Sequence, residues 1–272
     1  MMEKTRCSKG LWDSSVPNLE FDSSGISNYY WMYKKLEEEF PKGRRGKILI
    51  SELVRKISRS GKNKNYDCVV GLSGGTDSCY LLHLVKKKWN LNPLAVNLDN
   101  GWNSEIAVRN IKKMTDSLNV DLETYVIDYE EVKAVLRSQM KAGLPWIDAP
   151  TDLAISSIIM TIAKNEGIKY VFSGSDFRSE GKQPNLWTYT DSKLLHHTLS
   201  KFEKVKLSSF PISNPILQAL TSFVHKIKIV KPFYFLDYNK LKAQEFLSRK
   251  YDWENYGGHH HENIFTKFAI SY

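Results

Sequence analysis

From residue 46 onward, short apolar runs alternate with longer segments in which apolar residues recur every three or four positions. The first pattern is typical of buried strands and the second of amphipathic helices. The predicted strands are Tyr66–Leu72, Leu94–Leu98, Leu122–Ile127 and Lys169–Phe172, and the predicted helices are Lys47–Ser60, Ser78–Trp89, Ser104–Leu118, Glu130–Lys141 and Asp152–Asn165. Strands and helices that alternate in this way form right-handed crossovers, which predicts an α/β fold whose parallel sheet is sandwiched by helices.

The two ends of the chain break this pattern. Residues 1–45 form an arm rich in turn residues, with one short predicted helix, Trp31–Phe40, that Pro41 stops. After Gly181 the periodicity weakens. The predicted helical pieces there are Asp191–Glu203, Pro215–Ile229 and Asn239–Arg249. We therefore divide the chain into an N-terminal arm, residues 1–45, and one α/β domain, residues 46–272.

The composition is that of an ordinary folded protein, with 42% hydrophobic and 25% charged residues among 272. The most apolar run, Leu153–Ala163, is about half as long as a membrane-spanning helix needs to be. The first residues lack the apolar core of a secretory signal, and three cysteines are too few for a disulfide framework. A cytoplasmic protein without a membrane span is therefore expected.

A net charge of +9 attracts anions, which include nucleic acids, nucleotides and acidic sugars. The basic residues are scattered through GKNKN, VKKKW and KVKLSS instead of forming one arm. Such scattering is typical of a solvated surface, so charge alone does not choose among these ligands.

The segment from Gly71 to Ser78, GLSGGTDS, joins a predicted strand to a predicted helix. Unpaired backbone N–H groups and the positive end of the helix dipole face outward at such a junction and bind phosphate. Adjacent glycines allow close approach of the backbone, Ser73 and Ser78 supply hydroxyl donors, and Asp77 can reach Mg²⁺. The loop matches neither the Walker pattern nor the dinucleotide-binding pattern.

The letters SGGTDS resemble the signature of the PP-loop ATP pyrophosphatases, which cleave ATP between its α and β phosphates and transfer AMP to an oxygen of the substrate. The resemblance implies ATP and Mg²⁺ as cofactors. It also implies a sheet of about five parallel strands with the loop strand at its centre.

Further segments resemble the N-acetyl sugar amidotransferases of surface-polysaccharide and flagellin-sugar biosynthesis. They are TRC, FDSSGISNYY, GLSGGTDSCYLLHL, NLDNGWNSEIAVRNI, DAPTDLAI, GIKYVFSGSDFRSEG and YGGHHHENIFTKF. The resemblance implies that the carbonyl oxygen of an N-acetyl sugar is adenylated and that ammonia then displaces AMP to leave an acetamidino sugar. It also implies a glutaminase partner with a cyclase-like ammonia-channel subunit resembling imidazole glycerol phosphate synthase, and a chain truncated at Tyr272.

Ligands of open parallel sheets bind at the carboxyl ends of the strands, so the residues there are candidates for substrate contact and chemistry. They are Asp99, Asn100 and Trp102 after the second strand, Asp148, Thr151 and Asp152 at the start of a helix, and Ser175, Asp176, Glu180 and Gly181 after the fourth strand. Trp102 either stacks on a ring or packs in a turn. Thr151 either contacts substrate or caps its helix.

We assign the chemistry to Ser73, Asp77, Asp99 and Asp176, with Asp77 also as the metal ligand. The residues assigned to the nucleotide are Leu72, Ser73, Gly74, Gly75, Thr76, Asp77, Ser78, Asn97, Gly174 and Lys267. Among the consecutive histidines 259–261, only His260 matches the resembled pattern, and it is assigned to substrate. Neighbouring residues point in different directions, so the three histidines cannot easily share one metal ion.

Two other interpretations remain open. A tRNA-modifying sulfurtransferase or lysidine-type ligase would suit the positive charge, but Cys68 lies in an apolar strand and Cys79 is a small side chain suited to packing. A degenerate scaffold would suit the arm, which has Ser27 and Tyr30 where the resembled family carries paired cysteines. With Cys7 as the arm's remaining cysteine, no zinc site is expected.

Overall fold

The computed structural model describes residues 4–181, 184, 187, 190–212, 216, 219, 223–258 and 260–271. At its centre is a five-stranded, fully parallel sheet in the order β3-β2-β1-β4-β5. The strands are β1 (Cys68–Gly71), β2 (Pro93–Asp99), β3 (Leu122–Val126), β4 (Tyr170–Phe172) and β5 (Lys228–Val230). The predicted α/β class, the parallel sheet of about five strands and the central loop strand are confirmed.

Helices surround the sheet and connect its strands. They are α1 (Asn28–Glu39), α2 (Gly43–Gly61), α3 (Thr76–His83), α4 (Glu105–Leu118), α5 (Tyr129–Lys141), α6 (Ala149–Asn165), α7 (Phe177–Glu180), α8 (Ser192–Phe202), α9 (Lys240–Tyr251) and α10 (Ile264–Ser271), with a π-helical turn at Leu84–Lys88 and a 3₁₀ turn at Pro232–Tyr234. Side-chain caps fix several starts: Ser104 accepts from the N–H of Ala107, and Asp128 accepts from the first N–H groups of α5.

The core lies on both faces of the sheet. On one face Leu81, Leu82 and Met114 pack against β1 and are fully buried. On the other face α6 covers β1 and β2 through residues such as Ile158 and Ile162. This double covering explains why β1 and most of β2 have apolar sequences.

The structure corrects the C-terminal part of the prediction. The predicted helix Pro215–Ile229 is wrong at its end, because Lys228 and Ile229 belong to β5, where Ile229 pairs with Val171 of β4. Residues 215, 217–218 and 220–222 of that segment lie outside the described residues. Helix α10 was not predicted at all, and it proves to be part of the site.

The arm has its own small set of contacts. The buried thiol of Cys7 accepts the N–H of Ser27 at 3.1 Å, and this serine side chain caps α1. Trp12 packs edge-on against Trp187, so the arm contacts the chain after α7 at this residue. Within the described part of the chain, no helix is long and apolar enough to cross a membrane.

Candidate active site

The loop between β1 and α3 has the conformation of an anion cradle. Gly74 has φ +79°, and a Cβ there would lie 2.4 Å from the carbonyl oxygen of Ala107, so only glycine fits. Gly75 is the N-cap of α3 and contributes no capping side chain, so no N-cap side chain accepts from the first amides of the helix. The Oγ atoms of Ser73 and Ser78 lie 3.2 Å apart beside them.

Side chains from distant parts of the sequence hold this loop in place. The carbonyl of Gly74 accepts from Trp253 Nε1 at 3.0 Å and from Asn110 Nδ2 at 3.2 Å. The N–H of Thr76 donates to the hydroxyl of Tyr256 at 3.2 Å. These three residues were not among the predicted site residues, although Asn110 and Tyr256 lie in segments quoted for the resemblance.

Asp77 lies on the first turn of α3 and is occupied by two partners. Its carboxylate accepts from the hydroxyl of Tyr238 and from Lys240 Nζ, the latter at 3.2 Å. Gly174 lies against it, since a Cβ there would be 3.3 Å from Asp77 atoms. Burial and the neighbouring Asp77 raise the pKa of Glu180. The end of β4 and the helix after it therefore converge on the loop.

Mg²⁺ bound at this loop would be held largely by the phosphate groups of a nucleotide. Among the described residues, no group of three or more His, Cys, Asp or Glu side chains is arranged to hold a metal ion. Magnesium is commonly held by one or two carboxylates together with substrate phosphates, and Asp77 and the nearby Glu180 provide such carboxylates.

A cavity of about 570 Å³ opens beside the loop at the carboxyl ends of the strands. Apolar side chains of the strands and α6 line one part of it, among them Val96, Ile159 and Phe172. Its polar part is built mainly by the start of α6 and the segment leading into α10. The lining residues there are Asn100, Trp146, Asp148, Thr151, Asp152, His260, Glu262, Asn263 and Thr266.

Asp148 ties α6 to α10 at this polar end. One carboxylate oxygen accepts from Thr151 Oγ1 at 2.6 Å and the other from Thr266 Oγ1 at 2.5 Å. The side chain is buried, and burial raises its pKa. One helical turn further on, Asp152 lines the same cavity, and its pKa is raised to about 6 by desolvation and by the charge of Asp148.

His260 and Glu262 face these carboxylates from the other side. His260 Nδ1 lies 3.4 Å from Glu262 Oε1, and this contact raises the pKa of the imidazole. Burial opposes ionisation of Glu262, but its contact with His260 leaves its pKa below the ordinary value. The Oε2 atom of Glu262 is buried without a hydrogen-bond partner in the structure. Glu262 was not among the predicted site residues, although it lies in the segment quoted for the resemblance.

The predicted site residues fall into three groups. Those that line the cavity are Leu72, Ser73, Asn97, Asn100, Asp148, Thr151, Asp152, Gly174 and His260. Those that form the loop and its surroundings are Gly74, Gly75, Thr76, Asp77, Ser78, Ser175 and Glu180.

The third group lies apart from the cavity. Trp102 packs between Tyr129 and Phe265 and lines a second, apolar cavity. Asp99 accepts the N–H of Gly101 in a turn. The remaining residues of this group are Asp176, which caps α7, Gly181, which ends it with φ +72°, and Lys267, which is exposed on α10.

None of the three cysteines, all of them in the described part of the chain, lines the cavity. Cys79 faces the core from α3 and is fully buried, and burial raises the pKa of its thiol. Cys68 is likewise buried in β1, with its pKa raised well above the ordinary value by burial. Thiols in such surroundings are inert.

Comparison with known proteins leaves the family open. No protein-family model matches the sequence. An uncharacterized protein of Methanocaldococcus jannaschii is 28% identical over 127 residues, which are 47% of this chain and 44% of that protein. The match thus spans less than half the length of that relative.

Three solved structures resemble the chain weakly. NMN synthetase from Francisella tularensis is 16% identical with a TM-score of 0.38, over 79% of this chain and 98% of that one. The NH3-dependent NAD synthetase from Campylobacter jejuni, in complex with nitrate, is 13% identical with a TM-score of 0.36, over 83% and 93%. A predicted subunit of tRNA methyltransferase from Methanocaldococcus jannaschii is 14% identical with a TM-score of 0.37, over 66% and 75%. At this level the likenesses assign neither family nor activity.

Proposed function

We propose that the protein is an ATP-dependent ligase that transfers AMP to an oxygen of its substrate and releases pyrophosphate. The observation that carries this proposal is the position of the SGGTDS loop. It follows the central strand, presents the amides of α3, and borders a cavity with room for a nucleotide and a second substrate. The apolar part of the cavity suits an adenine ring, and the polar part suits the group that is activated.

The residues of this chain favour that step by positioning and charge. Loop amides would stabilise the negative charge that builds up as the bond between the α and β phosphates breaks. Lys240, held beside Asp77, would add a cation at the mouth of the loop. Bound Mg²⁺ would supply further charge neutralisation on the phosphates.

For the substrate, we propose an N-acetyl sugar whose amide oxygen is activated, with ammonia as the nucleophile. Five segments quoted for the amidotransferase resemblance contribute residues to this one cavity: Ser73, Asn97, Asp152, Gly174 and His260 each come from a different one. Ammonia would come from a glutaminase partner with a cyclase-like channel subunit. A sulfurtransferase is disfavoured because no cysteine reaches the cavity.

The test is a reaction with ATP, Mg²⁺ and ammonium over a panel of N-acetyl sugars, both free and nucleotide-linked. Mass spectrometry should detect AMP together with a sugar product about one dalton lighter, since an oxygen is replaced by an NH group. The same assay with unmodified tRNA in place of the sugar tests the alternative, a tRNA-modifying enzyme.

Gly75→Val should abolish AMP formation. A Cβ added at Gly75 would lie 3.1 Å from both Glu262 Oε1 and Tyr256 Oη, and the larger valine side chain would fill the loop. Asp116→Asn, an exposed change on α4, is the matched control. Full pyrophosphate release by folded Gly75→Val would refute the loop assignment. AMP release that depends on tRNA and not on any sugar would refute the choice of substrate.

A further inference from the structure

The polar end of the cavity holds four ionisable groups whose surroundings differ sharply. Asp148 has both oxygens engaged by threonine hydroxyls and is buried. Asp152 projects from the next turn of α6, lines the cavity and is accessible to solvent. Trp146 lines the same cavity beside it. Asp148 is therefore fixed in a structural contact, whereas Asp152 faces the space that a substrate would occupy.

The other two groups are paired with each other. Contact with Glu262 raises the pKa of His260, so the imidazole is protonated more readily. In its protonated form it has no free nitrogen to accept the proton of the nucleophile. The low pKa of Glu262 makes its carboxylate a weak base. Asp152 differs from both, because desolvation and Asp148 raise its pKa to about 6. A base with a pKa near the working pH is the most effective proton acceptor.

We propose that Asp152 accepts the proton released when the nitrogen nucleophile attacks the adenylated substrate. This inference rests on the proposed function and adds a proton acceptor to the same site. Asp152 lies on the wall of the cavity formed by α6, while Ser73 of the phosphate loop lies on the same cavity at the end of β1. A substrate bridging the two would have its activated carbon within the polar end.

Ammonia is the nucleophile in this step. The nitrogen lone pair forms a bond to the carbon of the protonated O-adenylyl imidate, which gives a tetrahedral adduct with an –NH₃⁺ group. One proton passes from this group to the carboxylate of Asp152. The carbon–oxygen bond then breaks, AMP leaves with the electron pair, and the product is an amidinium cation.

The charges around Asp152 agree with this chemistry. Asp148 and Glu262 contribute carboxylates, and His260 and the more distant Lys231 and Lys240 contribute cations. Once Asp152 is neutralised, Glu262, whose pKa is lowered by its contact with His260, still provides a negative charge for the developing amidinium. An aspartate with its ordinary pKa would be too weak a base for this step at neutral pH.

The experiment compares wild type with Asp152→Asn, Asp152→Glu and the exposed control Asp116→Asn. Two readouts are needed: exchange of labelled pyrophosphate into ATP with the active N-acetyl sugar, which reports adenylation, and amidine formation per unit of free ammonia between about pH 5 and pH 9. We expect Asp152→Asn to retain exchange but to lose amidine formation by about 10²- to 10⁴-fold. Asp152→Glu should recover part of the loss.

The pH profile separates a proton acceptor from a structural residue. Wild type should lose activity below an apparent pKa near 6, and Asp152→Asn should lack this limb. Asp148→Asn should shift the limb to lower pH, because it removes the negative neighbour. The inference would be overturned if Asp152→Asn, with pyrophosphate exchange intact, formed amidine at the normal rate or kept the acidic limb unchanged. If wild type shows no exchange with any N-acetyl sugar, the proposed function fails instead.

Discussion

Glu131 provides the sharpest test of how this fold is held together. It lies on the first turn of α5, is only 7% exposed, and accepts three backbone N–H groups from Ser208, Ser209 and Phe210 at 2.7 to 3.2 Å. The hydroxyls of Ser208 and Ser209 also donate to it. Burial opposes its ionisation, but these hydrogen bonds hold its pKa at about 2.

The magnitude follows from that pKa. Glu131 is ordinarily near 4.5, and each pKa unit corresponds to about 1.4 kcal/mol, so ionised Glu131 stabilises the fold by about 3 kcal/mol at neutral pH. Because its pKa is lowered on folding, this contribution is complete well above pH 4.5 and is lost as the pH falls towards 2. About half of it should remain at roughly pH 3.

Glu131→Gln should therefore lower the free energy of unfolding by about 3 kcal/mol at pH 7 and by roughly half as much at pH 3. Urea denaturation at both pH values measures the difference. Glu130→Gln is the control, because Glu130 is its exposed neighbour on the same turn and should change stability by less than about 1 kcal/mol. Equal losses of unfolding free energy in the two variants would contradict this expectation, as would a loss in Glu131→Gln that is as large at pH 3 as at pH 7.

Two further predictions concern the loop. Gly74→Ala should destabilise the protein by at least about 2 kcal/mol in a thermal melt, because it places a Cβ 2.4 Å from a backbone oxygen of α4 at a residue with φ +79°. Gly75→Ala, at φ −74°, is the control and should destabilise the protein much less. Equal melting temperatures of the two variants would contradict this expectation. Lys240→Met should weaken ATP binding by about three- to thirty-fold in calorimetry, because it removes a cation beside the phosphates, whereas Lys112→Met on the exposed face of α4 should leave ATP binding unchanged. Unaltered ATP affinity in Lys240→Met would mean that Lys240 serves Asp77 alone.

The elements with a long, regular hydrophobic pattern were predictable. The strands around the loop and the helices α4 and α5 differ from expectation by only a few residues at their ends. Strand β5 was missed because Lys228–Val230 is three residues long and partly exposed, so no alternating pattern develops. Helix α10 has eight residues, which is too short for its period to stand out.

The position of the loop from Leu72 to Ser78, between β1 and α3, was predictable from its motif. The residues that support the loop were not. Trp253, Asn110 and Tyr256 act by reaching a backbone group far away in sequence, and this depends on how α4 and the segment after α9 pack. Trp102 follows β2 as expected, and of the two roles left open for it the structure shows packing, in an aromatic cluster with Tyr129 and Phe265 that holds it away from the main cavity.

The bonds that Trp253 and Tyr256 make to the loop span 179 and 180 residues of sequence. During synthesis, at roughly 5 to 20 residues per second, Gly74 and Thr76 therefore leave the ribosome roughly 10 to 40 seconds before these partners exist. The strands around β1 can assemble in that interval, but the phosphate loop lacks the side chains that fix its amides. The loop is thus among the last parts of the described chain to acquire its supporting contacts, after the strands around it are in place.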